Sequence, residues 1–266
     1  MTDTNEEIIK EVSNSNVEDV KDADVVNTEE PKVDQKPEEK KSWGRELLSW
    51  VMVVVVAVVI ALVVNTFLIV NANVPSGSME NTIMTKSRMI GLRTAYWFSS
   101  PKRGQIVIFK YPDNENEEFV KRVIGQPGEK ITIKDAHIFV NDSKKPLKEN
   151  YLKEEWVIDN GDEEERVYYV PKKGDEVVVK DGIARINDIE VLIRGDYLEG
   201  NDSVDLKDGT YKMKDDCFFM LGDNRNSSKD SRAWQYTFVL ESNIDAKAEF
   251  VYWPLKEFKG LKTAEY

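Results

Sequence analysis

The sequence predicts a mainly β protein, in which an antiparallel β-sheet domain carries a smaller β cap subdomain and is preceded by one N-terminal transmembrane helix. Three observations lead to this fold class. Residues 47–70 contain no charged side chain, and the chain from Arg103 onward is a series of short β-rich runs separated by turn residues. The length of 266 residues leaves room for one further domain with a core of its own.

Residues 1–42 are rich in charged and amide side chains. Such a composition buries too little apolar surface to offset the entropy of ordering, so we predict a disordered acidic tail. Much of the formal net charge of -12 lies in this tail and in residues 149–165. Phosphate backbones select basic surfaces, and this charge therefore argues against nucleic acid as a partner.

Residues 43–70 are predicted to form the transmembrane helix. With a rise of 1.5 Å per residue, the uncharged run spans about 36 Å, enough for a hydrocarbon core of roughly 30 Å. Lys40, Lys41 and Arg45 precede the run, whereas no basic residue lies between it and Glu80. By the positive-inside rule the tail is cytoplasmic and the larger part of the chain is extracellular. The bilayer of the cytoplasmic membrane is therefore an expected partner.

Strands are predicted where β-branched and aromatic residues alternate between Gly, Pro, Asn or Asp. We assign residues 71–140 and 217–258 to the main β domain. Its clearest predicted strands are residues 104–109, 119–124, 130–140 and 217–221.

The segment 141–216 is less regular and more charged, yet residues 176–179 and 186–193 are predicted strands. We therefore expect it to form the cap subdomain. Residues 259–266 are left as a C-terminal tail.

The chain has one cysteine, Cys217, and one histidine, His137. An intrachain disulfide is excluded, and a metal site rich in cysteine or histidine is not expected. Cys217 begins an apolar run and is interpreted as a core residue, and His137 as an ordinary structural or surface side chain. We predict neither a metal nor a cofactor.

The first candidate for chemistry is the turn Val-Pro-Ser-Gly-Ser-Met (residues 74–79), directly after the predicted transmembrane helix. Ser78 is a candidate nucleophile, and Gly77 permits a backbone conformation that aims amide groups outward. Pro, Ser and Gly are also the ordinary residues of turns, so the motif by itself favours a structural turn.

Lys121 is the candidate base. In a strand it shares a face with Phe119 and Val123, which is an apolar setting. A free lysine is neutral only about once in 2500 at pH 7, and burial would lower its pKa by disfavouring the ammonium. An exposed edge-strand lysine is the alternative.

A third polar cluster, Gly-Asp-Asn-Arg-Asn-Ser-Ser-Lys-Asp-Ser-Arg (residues 222–232), is ordinary loop composition taken alone. Together with Phe-Val-Lys-Arg-Val-Ile-Gly-Gln-Pro-Gly-Glu (residues 119–129), however, this cluster and the serine turn resemble the signature motifs of bacterial type I signal peptidases. The single anchor is similar to the one-span subtype of that family. The resemblance implies a membrane-bound serine endopeptidase, without cofactor, that cleaves signal peptides from secreted preproteins after small residues of Ala-x-Ala type.

The resemblance also implies roles for individual residues. Ser78 would be the nucleophile and Lys121 the general base of a Ser-Lys dyad. Ser76, with the amide of Ser78, would form the oxyanion hole. Val74 and Pro75 would line the bound substrate strand.

The supporting shell implied by the resemblance comes mainly from the third cluster. Ser228 would donate a hydrogen bond to the lysine or accept one from it. Two ion pairs would support the site: Asp230 with Arg232, and Asp223 with Arg122. The sequence departs from the family pattern at Asn81, where proline is often found, which puts the local rigidity of the serine turn in doubt.

Two other interpretations stay open at this point. The chain is also compatible with a catalytically silent or pilus-dedicated membrane-anchored relative that binds secreted subunits. A soluble Ser-Lys peptidase of the self-cleaving repressor type is disfavoured by the apolar run 47–70. The sequence leaves the oligomeric state open, and Tyr96, Trp97 and Phe98 could contact either the membrane or the core.

Overall fold

The computed structural model of the protein describes residues 43–152, 154–157 and 165–266. The predicted tail, residues 1–42, lies outside the described residues. So do Lys153 and residues 158–164 of the second acidic region.

The described chain begins with helix α1, Trp43–Val63, which continues through a π-helical turn, Val64–Leu68. This run of 26 residues is long and apolar enough to cross a membrane. Valine is a modest helix former in water, but a segment inside a bilayer must satisfy its own backbone hydrogen bonds, and the helix does so. The predicted helix 43–70 extends slightly too far, because Ile69 already belongs to a strand.

The rest of the described chain is mainly β, as predicted. The strands are β1 (Ile69–Asn73), β2 (Arg88–Leu92), β3 (Ile106–Tyr111), β4 (Asn114–Gly125), β5 (Lys130–Lys134), β6 (His137–Val140), β7 (Arg166–Tyr169), β8 (Glu176–Lys180), β9 (Ile183–Ile186), β10 (Ile189–Glu190), β11 (Gly209–Lys212), β12 (Cys217–Leu221), β13 (Phe238–Leu240), β14 (Ile244–Trp253) and β15 (Lys259–Gly260). Short 3-10 turns connect several of them, including Arg93–Tyr96 and Arg225–Ser227.

The strands form three antiparallel sheets. The largest has the order β1-β2-β14-β3-β4-β12-β13, with β15 also paired to β14. A three-stranded sheet has the order β6-β5-β7, and a four-stranded sheet the order β10-β9-β8-β11. Strand β1 is therefore an end strand of the main sheet, and β4 lies near its middle. These two strands carry or lead into the candidate nucleophile and base.

Two segments predicted as single strands contain a hairpin turn. Residues 130–140 turn at Asp135 and Ala136, whose φ angles are 50° and 58°. Residues 186–193 are not one strand, because Asn187 and Asp188 adopt φ angles of 51° and 63°. Left-handed Asn and Asp residues form tight hairpin turns, and the alternation of apolar residues around them hides that turn in the sequence.

The cap sheets share a core with the main sheet. Strands β5 and β6, assigned to the main domain from the sequence, pair with β7. One buried apolar cluster joins Ile131 and Val177 of the cap sheets to Cys217 and Phe238 of the main sheet. The boundary drawn at residue 140 thus falls within continuous packing. Cys217 is fully buried in β12, as its apolar neighbours indicated.

The C-terminal residues are packed and do not form a free tail. Strand β15 pairs with β14, and the amide of Ala264 donates to the carbonyl of Gly104 at 3.0 Å. Leu261 is buried. Gly104 has a φ angle of 86°, and a side chain there would meet the backbone of Ala264.

The three aromatic residues 96–98 differ in their exposure. Tyr96 is half-buried against the core, and its hydroxyl donates to Gln105 Oε1 at 3.0 Å. Trp97 is half-exposed, and Phe98 has 96% of its surface exposed. His137 is also exposed, with Nδ1 2.6 Å from the carbonyl oxygen of Asp135.

Candidate active site

The nucleophile turn, residues 74–79, lies between β1 and β2 of the main sheet. Val74 extends the pairing beyond β1, because its amide donates to Ser87 and its carbonyl accepts from Lys86. The chain then turns at Pro75 and Gly77, and the amides of Thr82 and Ile83 donate to Met79. Ser78 is held at this turn with only 6% of its surface exposed.

Lys121 lies on β4, where the strand passes from solvent into the core. Its Nζ donates to Ser78 Oγ at 2.7 Å and to the carbonyl of Val120 at 3.2 Å. Nζ also lies 5.1 Å from the centre of the Phe119 ring. The strand geometry thus sets the lysine on the predicted apolar face, against the serine 43 positions away in sequence.

Burial changes the acidity of this lysine. Lys121 is 3% exposed, and desolvation lowers its pKa to about 8, against smaller opposing effects from Asp230 and Asp223. At pH 7 about one molecule in ten then carries a neutral amine, compared with about one in 2500 for a free lysine. An amine of this kind can accept a hydroxyl proton near neutral pH.

Ser76 lies on the open side of the nucleophile. Its Oγ is 3.3 Å from Ser78 Oγ, and its side chain is exposed. A hydroxyl at this distance can donate to an oxygen that develops charge next to Ser78.

Gly222 and Asn224 fix the nucleophile turn from behind. The amide of Asn224 donates to the carbonyl of Ser78, and its side-chain Nδ2 donates to the carbonyl of Gly77, both at 3.1 Å. A Cβ atom on Gly222 would collide with the carbonyl oxygen of Ser78 and with Ser228 Oγ. Only glycine allows the two segments to approach so closely.

Arg122 and Asp223 form the first of the two expected ion pairs. Arg122 Nε and Nη2 donate to the carboxylate at 2.8 and 2.6 Å, and both side chains are almost fully buried. Thr82 also donates to Asp223, and Arg122 Nη1 donates to the carbonyl of Gly104 at 2.5 Å. The pair therefore ties the nucleophile turn, β4 and the 222–232 loop together.

Asp230 and Arg232 form the second expected ion pair. Arg232 Nε and Nη2 donate to the two carboxylate oxygens at 2.7 and 2.8 Å. Asp230 is fully buried and also accepts from the amide of Gly222 at 3.0 Å. This carboxylate thus fixes the glycine that lies against Ser78.

Ser228 does not make the hydrogen bond to Lys121 that the resemblance implied. Its Oγ is buried and has no hydrogen-bond partner among the described residues. The lysine donates to Ser78 and Val120 instead, and Ser228 Oγ lies beside Gly222.

A small groove opens at the serine. A cavity of about 150 Å³ is lined by both expected residues, Val74 and Pro75, and by residues of two segments: Asn73, Ser76, Ser78 and Met79, and Glu118, Phe119, Val120 and Lys121. On the side of β4 that faces β12, the pairing covers only residues 122–125. The backbone edge of β4 at Val120 is therefore not paired with β12, and it faces the groove.

The backbone conformation at Asn81 accounts for the absence of the proline that the family often has at this position. Its φ angle is 83°, which proline cannot adopt. Its Nδ2 donates to the carbonyl of Tyr151 at 2.8 Å, so the position is tied to the segment after β6.

Several residues around the site were not predicted. Sequence patterns single out Gly222 and Asn224 only as parts of a polar loop, and Val120 only as a strand residue. Nothing in the sequence connects Glu149 or Trp156 with this loop, because they reach it through the fold. Among the described residues, no three His, Cys, Asp or Glu side chains lie close enough to hold a metal ion.

The site combines a buried serine, a lysine of lowered pKa and an open strand edge. This combination is typical of hydrolases that attack a peptide bond with a serine nucleophile. Comparison with known proteins agrees with that class. Residues 47–253 match the family model described as signal peptidase, peptidase S26. The chain is 30% identical over 219 residues to signal peptidase IB of Staphylococcus aureus, covering 81% of this chain and 94% of that protein.

Signal peptidase I of Bacillus amyloliquefaciens is 29% identical over 224 residues, covering 84% of this chain and 97% of that protein. Among solved structures, a signal peptidase I from Enterococcus faecalis is similar with a TM-score of 0.30 and 23% identity, over 56% of this chain and 97% of that one. The chain belongs to the S26 family of signal peptidases. It is accordingly a peptidase, and so a hydrolase.

Proposed function

We propose that this protein is a membrane-anchored serine endopeptidase that cleaves signal peptides with a Ser-Lys dyad. The observation that carries the proposal is the 2.7 Å contact between Lys121 Nζ and Ser78 Oγ. It lies in a buried site where desolvation lowers the pKa of the lysine to about 8. Both requirements of the chemistry, proximity and a neutral base, are thus supported.

The proposed reaction has two halves. Neutral Lys121 takes the proton of Ser78 as Oγ attacks the scissile carbonyl carbon, and the resulting ammonium protonates the amine that leaves as the C–N bond breaks. A water molecule then gives a proton to Lys121 and attacks the acyl-enzyme ester. When the ester bond breaks, the proton on Lys121 passes to Ser78 Oγ. The signal peptide leaves as a carboxylic acid, which gives its remaining proton to the solvent and becomes a carboxylate.

Ser76 Oγ and the amide of Ser78 are the proposed oxyanion donors. The position of Ser76 Oγ, 3.3 Å from the nucleophile, supports this role. Removing one donor of this kind typically costs a factor of about 10² to 10³ in turnover.

The proposed substrate segment binds as an added strand between residues 73–76 and the open edge of β4 at Glu118–Val120. Backbone groups at such an edge pair with an extended peptide, and pockets receive alternate side chains. Val74, Pro75 and Val120 line a cavity of about 150 Å³. A cavity of this size, shared between alternate side chains, favours small residues and so a cleavage site of Ala-x-Ala type.

The proposed anchor is α1 with its π-helical continuation to Leu68. Basic residues precede the apolar run at Lys40, Lys41 and Arg45, whereas no basic residue lies between the run and Glu80. This distribution favours a cytoplasmic N-terminus and an extracellular site. Exposed Trp97 and Phe98 are proposed to contact the lipid. Protease added outside intact cells should digest the β domain and spare residues 1–42, and the reverse pattern would disprove this orientation.

The cleavage reaction is tested with detergent-solubilised protein and a peptide carrying an Ala-x-Ala site. We expect one cut after the second alanine by the unaltered protein and none by Ser78→Ala. Mass spectrometry of the two fragments gives the cleaved bond. If the unaltered protein binds the peptide without cutting it, the silent or pilus-dedicated alternative replaces this proposal.

A further inference from the structure

The segment after β6 passes over the loop 222–232, which carries Asp230. We call residues 149–152 and 154–157 the strap. Its first anchor is Glu149, whose carboxylate accepts from Arg225 Nη1 and Nη2 at 2.9 and 2.5 Å. Arg225 is buried and also donates from Nε to the carbonyl of Gly222 at 3.0 Å. The strap is therefore one residue removed from the glycine that lies against Ser78.

Trp156 is the second anchor. Its ring lies 5.3 Å from Arg225 Cζ and 4.8 Å from Arg232 Cζ. Arg232 in turn donates from Nη2 to the carbonyl of Arg225 at 3.0 Å and to the carboxylate of Asp230. A ring stacked on two guanidinium groups restricts both of them and keeps water from their faces.

Polar contacts hold the two ends of the strap in place. Asn226 donates from Nδ2 to the carbonyl of Glu155 at 3.0 Å and accepts from the amide of Val157 at 2.9 Å. At the other end Asn81 donates to the carbonyl of Tyr151, whose ring lies 4.2 Å from Arg122 Cζ. The strap thus contacts both ion pairs that support the site and the turn that carries Ser78.

We propose that the strap positions the active-site loop, with Trp156 as its main positioning residue, acting through Arg225 and Arg232 on Asp230 and Gly222. The proposal rests on the proposed function, because it concerns the geometry of the Ser-Lys site. It assigns the strap a part in the reaction, although the strap does not reach the reacting atoms.

The charges around the site give this role a measurable signature. The groups facing Lys121 are Ser78, Asp230 and Asp223, and those around Asp230 include Arg232, Tyr168 of β7 and Lys121 itself. Arg166, Arg225 and Glu149 are further charged groups nearby among the described residues. If Arg232 becomes hydrated and moves away, the carboxylate of Asp230 acts more strongly on Lys121, and admitted water weakens the desolvation. Both effects raise the pKa of the lysine.

The test compares Trp156→Ala with the unaltered full-length enzyme in the peptide-cleavage assay from pH 6 to pH 10. We expect the acid limb of turnover to move upward by about half a pH unit, equivalent to roughly a threefold loss at pH 7 that is recovered in part above pH 9. Trp156→Phe keeps a ring over the guanidinium groups and should restore the profile. Tyr211→Ala, which removes a half-buried ring from β11 of the cap, should leave the acid limb unchanged.

The outcomes separate this inference from the proposed function. An acid limb at the same pH in Trp156→Ala, or a uniform loss that Trp156→Phe does not restore, would overturn the inference. If thermal melting shows that Trp156→Ala is unfolded, Asn226→Ala decides instead. Asn226 is exposed, and its replacement removes the hydrogen bonds to Glu155 and Val157 of the strap. We expect a smaller upward shift of the acid limb, whereas no shift would refute the positioning role of the strap. Failure of the unaltered enzyme to cleave refutes the proposed function itself.

Discussion

Lys121 and Arg122 are neighbours in sequence, and both are buried cations, with 3% and 2% of their surfaces exposed. Their environments are opposite. Arg122 makes a bidentate ion pair with Asp223, whereas Lys121 contacts a serine hydroxyl, a backbone carbonyl and an aromatic ring. Successive residues of a strand point to opposite faces, so one step along β4 separates the two environments.

The consequence of this difference is chemical. Burial acts to lower the pKa of both residues, but in Arg122 the hydrogen bond and the charge of Asp223 more than offset it, and its pKa is raised. In Lys121 the opposing carboxylates, Asp230 and Asp223, act without a direct contact, and burial prevails. A buried cation with a partner ties structure together, and a buried cation without one becomes a base.

The sharpest test of this contrast is Lys121→Met, a substitution of similar length without charge. We expect turnover to fall by roughly four orders of magnitude or more, as for the loss of other catalytic bases. The melting temperature should stay equal or rise, because an unpaired buried charge is removed. Peptide cleavage and thermal melting measure both, and a variant that retains near-normal turnover would remove Lys121 from the mechanism.

The complementary substitution is Asp223→Asn, which leaves the guanidinium of Arg122 buried without a charged partner. We expect a loss of about 3 to 5 kcal/mol in the free energy of unfolding. Denaturant titration measures it. Asp245→Asn is the matched control, because its pair with Arg93 at 3.2 Å is partly exposed and should be worth about 1 kcal/mol or less. Equal losses in the two variants would contradict the contrast.

Ser76→Ala probes the oxyanion side of the dyad. Turnover should decrease by a factor of about 10² to 10³ with little change in KM, since the missing donor acts on charge that develops in the transition state. Ser99→Ala, at an exposed turn, serves as the control. A variant of Ser76 with full turnover would leave the amide of Ser78 as the sole proposed donor.

The smallest expected effect is a displacement of the pH profile. In the proposed mechanism the neutral lysine is the active form, so turnover should rise with pH through an acid limb near the lysine pKa of about 8. Phe119→Glu would bring a carboxylate beside Nζ and move that limb upward by about one unit, whereas Phe119→Gln should move it less. Identical profiles for the two variants would show that the charge near Lys121 does not control its acidity.

Much of the site was accessible from the sequence because its chemistry is carried by short motifs. Ser78, Lys121, Asp223 and Asp230 were each expected, and all four meet around one turn. The predicted hydrogen bond between Ser228 and Lys121 is not formed, because such a contact depends on side-chain directions that no motif encodes. Residues 186–193 were also assigned wrongly, since a left-handed Asn-Asp turn interrupts an apolar alternation.

The sequence alone determined the apolar helix, the antiparallel β class and the family, because composition and local periodicity are written along the chain. Only the tertiary structure decided that Lys121 contacts no carboxylate among the described residues while Arg122 contacts one, and that Trp156 lies over the loop bearing Asp230. Burial and charge pairing depend on which distant segments pack together. The lowered pKa of Lys121, on which its proposed role as base depends, is therefore a property of the fold.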